Sequence, residues 1–118
     1  MEWTVIGRGD PRAAAYLVDA EGVADPTLVE RHMAQTQDAR GRLVQVDVQV
    51  RAEGVSWQAW AEGAYIQEGT AATLAEAQAA AAAAAQDLRF AVDEVRKEAA
   101  ARTADFLRLF PGDPDSDL

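Results

Sequence analysis

The chain has 118 residues, 49% of them hydrophobic and 26% charged, with no cysteine and a formal net charge of −9. That length suits one domain with a modest core, and the missing cysteines exclude disulfides, thiol nucleophiles and cysteine-held metals or clusters. The acidity is concentrated: residues 52–88 contain Glu53, Glu62, Glu68, Glu76 and Asp87 and no base, so this stretch repels a phosphate backbone and attracts a basic partner.

The opening MEWTVIGRGD has no basic segment followed by an apolar run, which argues against a signal peptide. No stretch is apolar enough for a membrane span, so a cytoplasmic protein is expected, or one in the host cytoplasm if the chain is viral. Residues 2–8 read as a short strand with Trp3 and Val5 on one face. Residues 13–20 suit either a second strand or a short helix, ended by Gly22. Residues 25–40 read as a helix. Asp25 serves as N-cap, Pro26 occupies the first helical position, and Leu28, Val29, His32 and Met33 recur on one side before Gly41.

RLVQVDVQVRAEG is the clearest strand. Val44, Val46, Val48 and Val50 alternate with Gln45, Asp47, Gln49 and Arg51, giving a valine face and a face toward water. A tight turn at Ala52–Gly54 returns the chain as VSWQAWAEG, an antiparallel strand. If Val55 and Trp57 face the core, Trp60 faces out among polar groups. AYIQEG is either a third strand after a turn at Glu62–Gly63 or a continuation across a bulge.

Thr73 with Glu76 three residues later forms a capping box. Neither glycine nor proline occurs from Thr70 to Phe110, and Pro111–Gly112 stops the helix. The sequence therefore predicts a long helix over about 73–110, roughly 55 Å if continuous. Such a helix either breaks near Gln86–Asp87 or projects toward another chain. In its first half Leu74, Ala77, Ala81, Ala84 and Ala85 offer a shallow surface. Alanine has the best helix propensity and leaves room for the large side chains of a sheet, here Trp57, Trp60, Tyr65 and the valine row. In the second half Leu88, Val92, Val95, Ala99, Phe106 and Phe110 form an apolar stripe. Asp93–Lys97 and Glu98–Arg102 are i,i+4 ion pairs expected on the exposed side. Residues 111–118 form an acidic, flexible tail, and 1–110 form the single domain.

Catalytic chemistry is sparse. His32, the one histidine, has no partner nucleophile or carboxylate recognisable in the sequence, and a structural role is expected. No metal cluster and no cofactor loop is visible. A non-enzyme without cofactors is expected.

The strand–strand–strand–helix order with WQAWAEGAYIQEGTAATLAEAQAAAAAAAQDL resembles two families. One is the double-stranded-RNA-binding domain, in which the 25–40 helix stands for the family's first helix. That family opens its last helix with lysines, whereas this chain has TLAEAQ, so RNA binding is not carried over. The other is the HicB-like antitoxin fold, where TLAEA begins the helix after a three-stranded sheet and which implies an acidic protein bound to a basic toxin. The resemblance covers residues 43–90. The chain also resembles small proteins of actinobacteria and their phages.

The sequence thus predicts an α+β domain: an antiparallel sheet of three to five strands packed against helices, with a long alanine-rich C-terminal helix. The expected function is an acidic protein-interaction module, antitoxin-like or a phage-encoded inhibitor. It would meet a basic protein through Trp60, Glu53, Glu62, Glu68 and Glu76, and self-associate through Leu88, Val92, Val95, Ala99, Phe106 and Phe110. Alternatives are a structural subunit of a homo-oligomer or virion, and a nucleic-acid-binding domain relying on Arg31, Arg40, Arg42 and Arg51.

Overall fold

The computed structural model describes residues 1–109. The chain divides into two compact units, residues 1–88 and 89–118. The first is a five-stranded antiparallel sheet whose spatial order follows the chain: β1 (Thr4–Gly7), β2 (Leu28–Gln37), β3 (Leu43–Arg51), β4 (Gly54–Trp60) and β5 (Gln67–Ala71). A four-residue helix, α1 (Ala13–Tyr16), lies between β1 and β2, and α2 (Leu74–Ala85) follows β5. The second unit contains α3 (Ala91–Leu109). The α+β class and the antiparallel sheet agree with the sequence reading.

The valine alternation in β3 sets the two faces of the sheet. Register places Val5, His32, Val48, Trp57 and Gly69 in one row across all five strands. The neighbouring rows, Ala34–Val46–Ala59 and Glu30–Val50–Val55–Ala71, lie on the same face. Helix α2 packs on this face over β3, β4 and β5. Its Ala77, Ala81 and Ala85 are fully buried, as are Val44, Val48 and Ala59. The alanine run is therefore a contact surface. A helix with side chains of one methyl group approaches the sheet closely while the β-branched valines fill the space between. The shallow alanine face meets valines and the partly buried Trp57; Trp60 and Tyr65 are exposed.

Residues 25–40 are not a helix. They form β2 and the hairpin turn that follows. Asp25 and Pro26 resemble a helix start, but the Asp25 carboxylate accepts from Thr27 N (2.9 Å) and Thr27 Oγ1 (2.6 Å), closing a turn that feeds the strand. A register shift between Leu28 and Glu30 moves Leu28 to the opposite face from His32 and Ala34. That shift makes the apolar spacing look helical. Pairing with the length of β3 overrides the local pattern. Gly41, at φ 78°, sits in the β2–β3 turn, where Asp38 accepts backbone N–H groups from Arg40 and Arg42.

Within residues 1–88, the second face is covered at the β1–β2 end. Ile6, Leu17 and Leu28 form a small buried cluster there, with Ala13 and Met33 packed against it. The buried residue of β1 is Ile6, while Val5 is exposed on the α2 face.

The helix expected over 73–110 is two helices. At ~1.5 Å per residue the twelve residues of α2 rise about 18 Å, enough to cross the strands beneath it. The chain then tightens: Gln86 N donates to Ala83 O (3.2 Å) and Asp87 N to Ala84 O (3.0 Å). The Gln86 amide also donates to Gln37 O (2.9 Å), tying the helix end to the end of β2. The start of α2 has the Thr73 half of the expected capping box, Oγ1 accepting from Glu76 N (3.2 Å), while the Glu76 carboxylate accepts from Ala72 N and not from Thr73 N.

Candidate functional site

On the second face, beyond the Ile6–Leu17–Leu28 cluster, β2, β3, β4 and β5 carry two rows of polar side chains. One row is Arg31–Gln49–Ser56–Thr70 and the other Asp47–Gln58–Glu68. With the loop residues Val18, Asp19 and Ala20 as a wall, they line a cavity of about 620 Å³. The volume falls in the range of small-ligand pockets.

Three of its charged groups, Asp47, Arg31 and Arg51, are held by neighbours. Asp47, 5% exposed, accepts from Arg31 Nε (2.9 Å) and from the Gln49 amide (3.4 Å). Arg31 Nη1 also donates to Tyr16 O (3.0 Å), so the guanidinium clips α1 to the sheet. Arg51 pairs with Asp25 through Nη2 (3.1 Å) and donates from Nε to Thr27 Oγ1 (3.3 Å). The hydroxyl and backbone N–H of Thr27, and then Arg51, hold the Asp25 carboxyl down from 3.8 to about 2.

The acidic partner-binding set is only partly brought together. Trp60, 44% exposed, ends β4, and Glu62 follows in the next loop. Glu68 pairs with Gln58, two residues before Trp60 on the same face, so Trp60, Glu62 and Glu68 share one corner. Glu53 lies in the β3–β4 turn, at the other end of β4 and about 20 Å away along the strand. Glu76 is in the first turn of α2, where its carboxylate accepts from Ala72 N (3.3 Å). Neither belongs to that corner.

The self-association set also divides. Leu88 is buried in the first unit. Val92, Val95, Ala99 and Phe106 lie along α3, which has no buried residue, and the first two and Phe106 are more than half exposed. Phe110 lies outside the described residues. Glu98 and Arg102 form their i,i+4 pair at 4.0 Å.

His32 is buried, on a strand and not a helix. Gln78 of α2 donates to its Nδ1 (3.4 Å), and its Nε2 donates to Glu30 Oε1. The ring bridges sheet and helix. Of the arginines a nucleic-acid contact would use, Arg31, Arg42 and Arg51 are ion-paired with Asp47, Asp38 and Asp25.

The cavity itself is not foreseen by the sequence reading. Its signal was present in the alternation Gln45, Asp47, Gln49, Arg51 and in Ser56 and Gln58, all on one side of one hairpin. Alternation alone faces that side toward water, because the wall supplied by Val18–Ala20 comes from a distant loop.

Compared with known proteins, the chain matches no family profile, no curated relative and no solved structure. Among the described residues, no helix is long and apolar enough to cross a membrane.

Proposed function

We propose that the chain is a non-catalytic acidic interaction module that binds a basic protein surface in the cytoplasm, as an antitoxin or a phage-encoded inhibitor does. The observation that carries this reading is Trp60: a large aromatic, 44% exposed, on the open face of the sheet beside Glu62 and Glu68. An amphipathic ring offers much contact area at small entropic cost. The two carboxylates beside it select a cationic counterpart and speed the encounter, and the base-free stretch 52–88 adds to the field.

The test is capture from a lysate of the source cell or its host, repeated with Trp60→Ala and Glu62→Lys. A basic protein retained by the natural chain and lost from both variants supports the reading. Equal retention by both variants rejects this corner as the contact.

A second reading, a subunit of a homo-oligomer, is supported by the exposed Val92, Val95 and Phe106 of α3. An amphipathic helix of this length is marginal unless its apolar face is covered.

A further inference from the structure

We propose that the cavity on the open face of the sheet is a binding site for a neutral polyhydroxylated molecule, one or two saccharide rings in size. The floor is a block of amphoteric groups. Gln49, Ser56 and Thr70 lie side by side on β3, β4 and β5, and Gln58 lies in the adjoining row. Each carboxamide and hydroxyl both donates and accepts, which is the bonding requirement of a sugar hydroxyl.

Charge disfavours ligands that carry a net charge. Three carboxylates, Asp19, Asp47 and Glu68, line the cavity and repel a phosphate or carboxylate ligand. Two guanidinium groups, Arg31 and Arg51, line it as well and oppose a cation. Both are held by carboxylates, Arg31 by Asp47 at 2.9 Å and Arg51 by Asp25 at 3.1 Å. Their remaining N–H groups can donate to a neutral oxygen without breaking those pairs. A carboxylate such as Glu68 accepts from hydroxyls in turn.

The dimensions agree. Strands β2 to β5 span about 14 Å, and the two polar rows are about 7 Å apart. The floor is braced: β2, β3 and β4 are each paired on both sides, and α2 backs β3, β4 and β5 from the other face. Buried Asp47 fixes Arg31 and Gln49 by direct hydrogen bonds, so two of the recognising side chains are ordered before a ligand arrives.

The experiment is a titration of the full chain, followed by backbone and glutamine side-chain amide NMR signals. The probes are cellobiose, maltose, sucrose and myo-inositol, with glucose 6-phosphate and glucosamine as charged counterparts. The expected result is a saturable shift at Gln49, Ser56, Gln58 and Thr70 with at least one neutral probe, stronger than with either charged one. Ser56→Val with Gln58→Leu should weaken that binding about tenfold or more. Thr70→Val, nearly isosteric, should weaken it less and keep the fold. No saturable shift with any neutral probe overturns the proposal, as does binding by a charged probe alone or neutral binding that survives the double variant. Trp60 lies outside the cavity lining, so Trp60→Ala leaves this titration unchanged, and failure here is distinguishable from failure of the protein-contact reading.

Discussion

Gly69 on β5 lies under the indole of Trp57 on β4. The two residues are register partners, and a Cβ added at Gly69 would stand 2.8 Å from Trp57 Cζ2. A strand glycine costs stability in general, so its presence here marks a close approach. Gly69→Ala should displace the ring and destabilise the domain by about 1–3 kcal/mol. Chemical denaturation checks this. The cost should shrink in a Trp57→Leu background, where the clashing atoms are absent, so the double-mutant cycle should show coupling. Equal cost in both backgrounds would falsify the steric explanation.

Thr73 is the N-cap of α2, with extended backbone and a side chain that accepts from Glu76 N. Thr73→Ala leaves that donor without its partner and should cost about 1 kcal/mol. Thr73→Ser keeps the acceptor and should cost much less. Thermal melts of the two variants separate the cap from the general effect of a smaller side chain.

Asp25 links the turn before β2 to the end of β3 through Thr27 and Arg51. Its carboxyl is lowered from 3.8 to about 2, so the folded state binds this proton more weakly than the unfolded chain. The stabilisation is therefore present above about pH 4 and is lost as pH falls toward 2. Asp25→Asn should flatten the acid limb of stability between those values, measured by denaturant midpoint against pH. An unchanged slope there would mean that other carboxyls control acid unfolding. Asp38 acts in the same direction. Burial raises its carboxyl, but hydrogen bonds from Arg42 and Arg40 outweigh it and leave it lowered.

How far the fold could be read from the chain depended on whether a signal was local. The β3–β4 hairpin was legible because Val44, Val46 and Val48 alternate strictly, and α2 because Thr73 and Glu76 announce its start. Strand β2 was misread because the register shift between Leu28 and Glu30 breaks the two-residue period, and Asp25–Pro26 serves a turn as well as it serves a helix. The end of α2 carries no glycine or proline, and the contact found there, Gln86 to Gln37, joins residues 49 apart in the chain. The candidate site was partly legible. Trp60 came from alternation in β4, but the cavity required knowing that the Val18–Ala20 loop stands over the polar rows.

Helix α3 presents Val92, Val95, Ala99 and Phe106 along one line, and none of its residues is buried. If a second copy covers that line, Val95→Glu should shift sedimentation velocity from dimer or higher species to monomer. Asp93 and Lys97 lie on the opposite side of the helix from the stripe at ~100° per residue, so Lys97→Ala should leave the distribution unchanged. A natural chain that sediments as a monomer at every concentration tested removes the homo-oligomer reading.

The alanine run makes the sharpest packing prediction. Ala77, Ala81 and Ala85 recur every fourth residue and are fully buried against the sheet, while Ala79 and Ala83 are exposed. All five occupy the same kind of backbone, so helix propensity treats them alike. Only the space differs. Ala81→Leu must push α2 away from the sheet or force poor rotamers, and should cost about 1–3 kcal/mol. Ala83→Leu meets solvent and should stay within about 0.5 kcal/mol of the natural chain. Denaturant unfolding of the two variants makes the comparison. A large gap between them shows that alanine at position 81 is required by the close approach of helix and sheet. Equal small effects would mean that the interface has room, and that the run reflects helix propensity alone.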